Sequence, residues 1–410
     1  MINIPAIRFP EFIEPWKHQP LNKLLVESKK KNADLNYDKD EVLSVSGELG
    51  IVNQIEHLGR SYAGESVHNY GVVEVGDIVY TKSPLKANPF GIIKINKGKP
   101  GIVSTLYAIY KVKKENADGE FLDYYFSLDA NTNRYLRPLV KKGAKNDMKI
   151  NNAYVLHDRI FAPSIPEQKR IVSFLKVVDE KLNELKERQS LLVDYKKGMM
   201  QKIFSQELRF KDDNGEEFSE WKKKKLGDVV KVTSGGTPSR SQSKYWKGNI
   251  PWISTSLIDF KMIASSEEYI TTEGLNNSSA KLFPKGTILM AMYGQGKTRG
   301  KVAILGIEAT TNQACAALII NQNINGQFLF QNLSSRYDEI RDLSNDGGQQ
   351  NLSGGLIKGI EINLPGIQEQ NKIADFVIKI DSKIESVSEQ LEETKAYKKA
   401  MLQNLFFVQL

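Results

Sequence analysis

Two stretches of this chain carry the same pattern of apolar and polar positions. From Glu167 to Phe204, apolar residues fall at Ile171, Phe174, Leu175, Val178, Leu182, Leu185, Leu192, Tyr195, Met199 and Ile203. From Glu369 to Phe406 they fall at Ile373, Phe376, Val377, Ile380, Ile384, Val387, Leu391, Tyr397, Met401 and Leu405. Steps of three and four mark a single apolar stripe along a helix. Neither stretch holds an interior proline, and the only glycine is Gly198. Pro166 stands where the first helix begins, so its missing N–H leaves no helical bond unmade. About 40 residues at helical rise make a rod of about 60 Å. One stripe alone would stay wet, so two in one chain predict that they pack on each other as a coiled coil. The long domain between them suits an antiparallel pair. The alternative is that each stripe packs on its own globular neighbour.

The two stretches are copies. An offset of 202 residues, from Glu167 to Glu369, aligns them without a gap and makes identical pairs of Gln168/Gln370, Ile171/Ile373, Phe174/Phe376, Asp179/Asp381, Tyr195/Tyr397, Lys196/Lys398 and Phe204/Phe406. A period near half the chain means a duplicated protein, not a solenoid of small units. The segments ahead of the helices share a frame. Glu14-Pro15-Trp16-Lys17 with Leu21 matches Glu220-Trp221-Lys222 with Leu226, and Gly76-Asp77-Ile78-Val79 matches Gly286-Thr287-Ile288-Leu289. Both leave on Ile160-Phe161-Ala162-Pro163 and Ile362-Asn363-Leu364-Pro365. Between these anchors the two diverge. Apolar runs at Val72–Val75, Gly101–Lys111, Thr287–Met292 and Val302–Leu305 read as strands, and Gly347–Asn351 as a loop. The reading is α/β, mixed α+β: domains at 1–162 and 209–364, long helices at 163–208 and 365–410, and a pseudo-two-fold duplication.

Composition narrows the function. With 57 Lys+Arg against 49 Asp+Glu the net charge is +8, which suits a polyanionic partner. It also suits an ordinary basic cytosolic protein. One cysteine, Cys315, permits no internal disulfide, and the four scattered histidines make a Cys/His zinc site implausible. The sequence has no run of 18 apolar residues, so no membrane-spanning helix is expected. The opening MINIPAIRFPEF lacks the features of a signal peptide, so the expected location is cytoplasmic.

Catalytic signatures are weak. Ala291-Met292-Tyr293-Gly294-Gln295-Gly296-Lys297-Thr298 fits a relaxed phosphate-loop pattern. A working loop of that kind feeds a helix whose N-terminus faces the phosphate, and here Val302–Leu305 reads as a strand. A basic hairpin loop exposing Lys297, Arg299 and Lys301 fits better and suits a phosphate backbone. Asn88-Pro89-Phe90 lacks the second proline of an amino-methyltransferase loop, and Glu220-x-Lys222 reads as a solvated linker rather than part of a nuclease site. The rival readings are a free-standing phosphate-loop ATPase, a methyltransferase fragment, and a coiled-coil scaffold with no DNA specificity.

Five strings, in order and across a duplication, carry a family resemblance. They are Arg8-Phe9-Pro10-Glu11-Phe12; Trp221 with Lys225-Leu226-Gly227-Asp228; Ser234-Gly235-Gly236-Thr237-Pro238-Ser239; Tyr245-Trp246-x-Gly248-x-Ile250-Pro251-Trp252-Ile253; and Leu364-Pro365 with Gln368-Glu369-Gln370. With the paired helices they make the chain resemble the specificity subunits of Type I restriction-modification systems. The first half has no counterpart of Ser234–Ser239 or Tyr245–Ile253. The resemblance implies that each variable domain is a target recognition domain reading one half of a split, asymmetric sequence in double-stranded DNA. It implies that the helix pair sets the spacer and docks two modification (methyltransferase) subunits, with restriction subunits joining in some systems. It implies no catalysis and no cofactor in this chain: S-adenosylmethionine belongs to the modification subunits, and ATP and Mg to a restriction subunit. Two readers on a rigid rod make half-site spacing a matter of geometry.

On this reading, DNA contacts come from polar and basic loops. In the first half these are Arg60, Tyr62, Lys82, Ser83, Lys86, Lys141, Lys142 and Lys145; in the second, Thr237, Ser239, Arg240, Tyr293, Gln295, Lys297, Arg299, Gln349 and Gln350. Gln and Arg can address base edges, while Lys mostly holds phosphate. Tyr195, Lys196 and Lys197, with Tyr397, Lys398 and Lys399, are the candidates for subunit docking. For the two tyrosines, helix–helix packing is the competing reading.

Overall fold

The computed structural model describes residues 4–142, 148–294, 297–343 and 351–407. It divides into two compact units. One is Met1–Lys186 with Glu389–Leu410, and the other is Glu187–Ser388. Among the described residues no helix is long and apolar enough to cross a membrane.

Each unit is built on the same four-stranded antiparallel order. In the first unit it runs Leu25–Glu27, Tyr107–Val112, Ile78–Thr81, Ile92–Ile95. In the second it runs Lys231–Ser234, Cys315–Ile319, Ile288–Ala291, Val302–Leu305, extended by Met262–Ile263 parallel to the last strand. The central strands Ile78–Thr81 and Ile288–Ala291 are buried throughout. A strand reads as continuously apolar when both its faces are covered. Val79 packs with Leu43, Val103 and Ile109 on one face, while Ile78 and Tyr80 join Trp16, Leu21, Tyr110 and Phe121 on the other. Leu289 and Ile288 divide in the same way in the second unit. The run Thr287–Met292 contains the strand Ile288–Ala291, Val302–Leu305 is a strand as the sequence predicts, and Gly101–Lys111 resolves into Gly101–Val103 and Tyr107–Val112. Gly347–Gln350 lie outside the described residues.

A two-stranded ribbon ties the entry of each globular part to its exit. Lys17–Pro20 pairs with Arg159–Ala162, and Lys222–Lys225 pairs with Glu361–Leu364. Lys222 is therefore a strand residue and not part of a linker, although its side chain stays exposed. The shared frame seen in the sequence is this ribbon and the core beneath it: Leu21 and Leu226 are fully buried.

The long helices span Ile165–Phe204 and Ile367–Phe406. Each contributes its first part to one unit and its second part to the other. Within the first unit Phe406 meets Trp16 while Lys398 meets Asp179, so the two segments run antiparallel. Within the second unit Phe204 meets Phe328, and Lys196 meets Asp381 at 2.7 Å, in the same sense. Buried positions Ile171, Leu175, Val178, Leu182 and Leu185 alternate in fours and threes, as do Ile373, Val377 and Ile380. That is the seam of a coiled coil. Emptying one position, as in Leu175→Ala, should cost about 2–5 kcal/mol.

Extending the alternation to Leu192 and Met199 places Lys196, not Tyr195, on the seam. Tyr195 and Tyr397 are half exposed, at 50% and 47%, so the helix-packing reading of the tyrosines is corrected. The polar seam residues pair instead: Lys196 with Asp381, Lys398 with Asp179, and Gln189 with Ser388 at 2.6 Å. A polar pair in an apolar seam is satisfied in one register only, so these contacts fix register and orientation. Asp179 also accepts from the Tyr124 hydroxyl at 2.7 Å, and Asp381 accepts from Gln331 at 3.1 Å. Each aspartate thus joins both long helices to the globular part of its unit.

A buried clasp repeats at the start of each long helix. The Glu167 carboxylate, 1% exposed, accepts from Arg8 Nε and Nη2 at 2.7 Å each and from Trp16 Nε1 at 3.1 Å. Glu369, 0% exposed, accepts from Arg209 at 3.2 and 2.8 Å and from Trp221 Nε1 at 2.9 Å. The neighbouring glutamines span the same gap. Gln168 accepts from Asp118 N and donates to Pro163 O, while Gln370 accepts from Asn325 N and donates to Pro365 O. The Glu-Gln identity visible in the repeat is thus a joint that ties the start of each long helix to the globular part of its unit.

Candidate nucleic-acid interface

One edge of each four-stranded sheet collects the loops. In the second unit, register pairs Ser234 with Ala316 and Ala291 with Cys315. Residues 235–240, 292–294, 297–301 and 311–314 therefore lie at one end of the sheet. Leu352 N donates to Met292 O at 2.9 Å, bringing the end of another segment to the same edge. In the first unit, Thr81 pairs with both Tyr107 and Ile92, so residues 82–91 and 104–106 share the corresponding edge.

Of the first-half candidates, Lys82, Ser83 and Lys86 lie on this edge, with Ser83 and Lys86 exposed. Burial holds the Lys82 ammonium below the usual lysine value, partly offset by Glu27. Lys141 is exposed on the hairpin Lys141–Lys142/Met148–Lys149, which contacts the sheet where the Tyr80 hydroxyl meets Met148 Sδ. Arg60 and Tyr62 stand together on the segment after the helix Gln54–Leu58, with the guanidinium 4.7 Å from the ring centroid. Tyr62 is 60% exposed, an open aromatic face beside a cation. Lys145 lies outside the described residues.

Of the second-half candidates, Thr237, Ser239, Arg240, Tyr293 and Lys297 lie on the loop edge. Gln295, Gln349 and Gln350 lie outside the described residues. Ser234–Ser239 is held by contacts that need glycine. A Cβ on Gly235 would stand 2.0 Å from Thr311 O, and one on Gly236 would stand 2.3 Å from the Ser279 backbone. Trp252 Nε1 donates to Gly236 O, and Trp246 Nε1 to Ser239 O. Arg240 stacks 3.7 Å from the Trp246 centroid and 4.9 Å from that of Trp252, while Nη2 bonds Glu268 at 2.9 Å. The ion pair raises the Arg240 pKa and lowers that of Glu268, chiefly through the hydrogen bond between them. Arg240 thus braces this loop while its side chain stays 55% exposed.

The basic hairpin departs from its expected form in one respect. Lys297 is exposed, and Lys301 is ion-paired to Asp259 at 2.6 Å, but Arg299 is buried at 6%. Tyr337 donates its hydroxyl to Lys297 O at 2.6 Å, and Gly300 abuts Arg341. The helix Tyr337–Asp342 packs against this turn through Tyr337 and Arg341, beside the buried Arg299. The strand Val302–Leu305 follows the turn, where a phosphate loop would have a helix.

Of the docking candidates, Lys197 and Lys399 are exposed, and Tyr195 and Tyr397 are half exposed. Lys196 and Lys398 are engaged by Asp381 and Asp179. The clasp residues Arg8 and Arg209 were signalled only by Arg-Phe standing at matching places ahead of both repeats.

The family model of the Type I restriction modification DNA specificity domain matches twice, over residues 28–193 and 218–396. The chain is 31% identical over 209 residues to the Type I restriction enzyme MjaIX specificity subunit of Methanocaldococcus jannaschii. It is 33% identical over 178 residues to the EcoR124I/EcoR124II specificity subunit of Escherichia coli. These matches take in 50% and 42% of this chain, and the chain spans only about half the length of either relative, 48% and 43%. The crystal structure of a Type I restriction-modification S subunit from M. genitalium superposes with a TM-score of 0.59 at 15% identity, covering 99% of this chain and 100% of that one. The similarity in structure extends across the duplicated fold.

Proposed function

The chain belongs to the Type I restriction-modification specificity family, and on that premise we propose that it is the DNA-reading subunit of such a complex. Each variable domain, 1–162 and 209–364, reads one half of a bipartite, asymmetric target. The long helices, within 163–208 and 365–410, set the spacer between the half-sites. Two modification subunits dock through Tyr195, Lys197, Tyr397 and Lys399, and restriction subunits join in systems that cleave. This chain does no chemistry itself: S-adenosylmethionine is bound by the modification subunits, and ATP and Mg by a restriction subunit. The complex works in the cytoplasm, where its DNA is.

The observation that carries this reading is like frames with unlike edges. Both units share one strand order, one entry–exit ribbon and one Glu-Gln clasp. Their loop edges share almost nothing. The first presents Lys82–Phe90 and the Lys141 hairpin. The second presents a tryptophan-braced glycine loop and the Lys297 turn. Exposed Lys86, Lys141 and Lys297 supply phosphate contacts, while exposed hydroxyl and amide side chains supply base contacts.

Single-molecule methylome sequencing of the host with and without the gene tests the proposal. The expected result is loss of N6-methyladenine at one split, asymmetric motif. An unchanged methylome, in a strain where this chain and a modification subunit are both expressed, would overturn it.

A further inference from the structure

We propose that Gln313 reads a base in the half-site of the second unit, held ready for that task by Thr237. The inference rests on the DNA-reading function proposed above and deepens it. Gln313 lies outside every loop that the sequence singles out. It sits on the turn just before the strand Cys315–Ile319, at the loop edge, and its side chain is exposed.

Its backbone is fixed on both sides. Asn312 N donates to Ile253 O at 3.1 Å, Ala314 N donates to Asn312 Oδ1 at 3.0 Å, and Met292 N donates to Ala314 O at 2.8 Å. An exposed glutamine ordinarily samples many rotamers. Here the Thr237 hydroxyl donates to Gln313 Oε1 at 2.6 Å. Thr237 in turn sits on the glycine loop that Trp252, Thr311 and Ser279 hold in place. The carboxamide therefore keeps its second oxygen lone pair and its amino hydrogens for a partner. Acceptor and donor side by side match adenine N6 and N7 in the major groove. Pre-orientation lowers the ordering cost of binding, so the chemistry points to adenine at one position of this half-site.

The test uses the complex reconstituted with its modification subunits, with methylation of a DNA library as the readout. Gln313→Ala should relax discrimination at one position of one half-site by about 5- to 150-fold, with the other half-site unchanged. Gln313→Glu keeps an acceptor and loses the donor, so it should move preference at that position from adenine towards cytosine. Thr237→Val should relax the same position more weakly. Thermal midpoints and assembly equal to wild type confirm that the variants are folded. If the wild-type complex shows no bipartite motif, the underlying function is wrong. If it shows one, and folded Gln313→Ala and Gln313→Glu complexes both keep full stringency at every position, the role of Gln313 is wrong.

Discussion

Replacing Arg209 by alanine gives the sharpest test of the energetic reasoning. Glu369 is 0% exposed, and Arg209 and Trp221 supply its hydrogen bonds through the side chain. Among the described residues, Arg209→Ala leaves the buried carboxylate the indole N–H as its side-chain donor. Breaking a buried pair from one side costs about 3–5 kcal/mol, a large share of the roughly 5–15 kcal/mol that holds a domain together. For a unit of this size each kcal/mol moves the midpoint by about 2–4 °C, so the loss should be about 6–20 °C. The double variant Arg209→Met with Glu369→Met removes both charges and fills the space. Apolar replacement of a buried pair is often neutral, so most of the loss should be regained. Arg8→Ala should act on the first unit in the same way. Thermal unfolding followed by tryptophan fluorescence reads both, because Trp221 and Trp16 belong to the clasps. A single variant within about 2 °C of wild type, or a double variant as unstable as the single, would refute the argument.

Three further outcomes follow from the placement of side chains. Lys297→Ala should reduce the slope of log affinity against log salt by about 0.9, measured by fluorescence anisotropy of the complex on DNA, and an unchanged slope counts against the phosphate contact; Arg299→Ala should instead lower stability, because that side chain is buried. Reversing the charge of Lys197 and Lys399 should leave the thermal midpoint near wild type and abolish capture of the modification subunits by light scattering, whereas reversing Lys196 and Lys398 should also destabilise the helix pair by breaking the Asp381 and Asp179 contacts. Burial pushes the Cys315 thiol up to about 12, so at pH 8 native protein should react with a thiol reagent about 10³-fold more slowly than an exposed cysteine, and rapid native-state labelling would contradict this placement.

Much of the architecture was legible because it rests on period and repetition. The three-and-four spacing found both long helices, and the duplication predicted their pairing. Where the reading failed, the deciding contact was remote. Tyr195 fits the apolar spacing as well as Lys196 fits the heptad, and only an aspartate 185 residues away, Asp381, shows why the lysine takes the seam. Arg299 reads as exposed in the sequence and is buried in a turn against which the helix Tyr337–Asp342 packs. Lys222 looks like linker because all four residues of its strand are exposed; what makes it a strand is Glu361–Leu364. Gln313 gave no signal, since a glutamine in a turn is ordinary until a threonine 76 positions upstream orients it.

The exchange of helix segments bears on any half-length product. A polypeptide ending at Phe204 would keep the first sheet, the Arg8–Glu167 clasp and one whole helix. It would lack Phe406, which packs among Trp16, Phe121 and Tyr125. The second part of its own helix would have no globular partner. Yet that part ends in Phe204, the repeat counterpart of Phe406, and carries Lys196, the counterpart of Lys398. Two such polypeptides could each lend the other the missing plug and the missing cation for Asp179. The product would be a symmetric homodimer with one sheet type displayed twice, and on the DNA-reading function proposed above its target would be a palindrome.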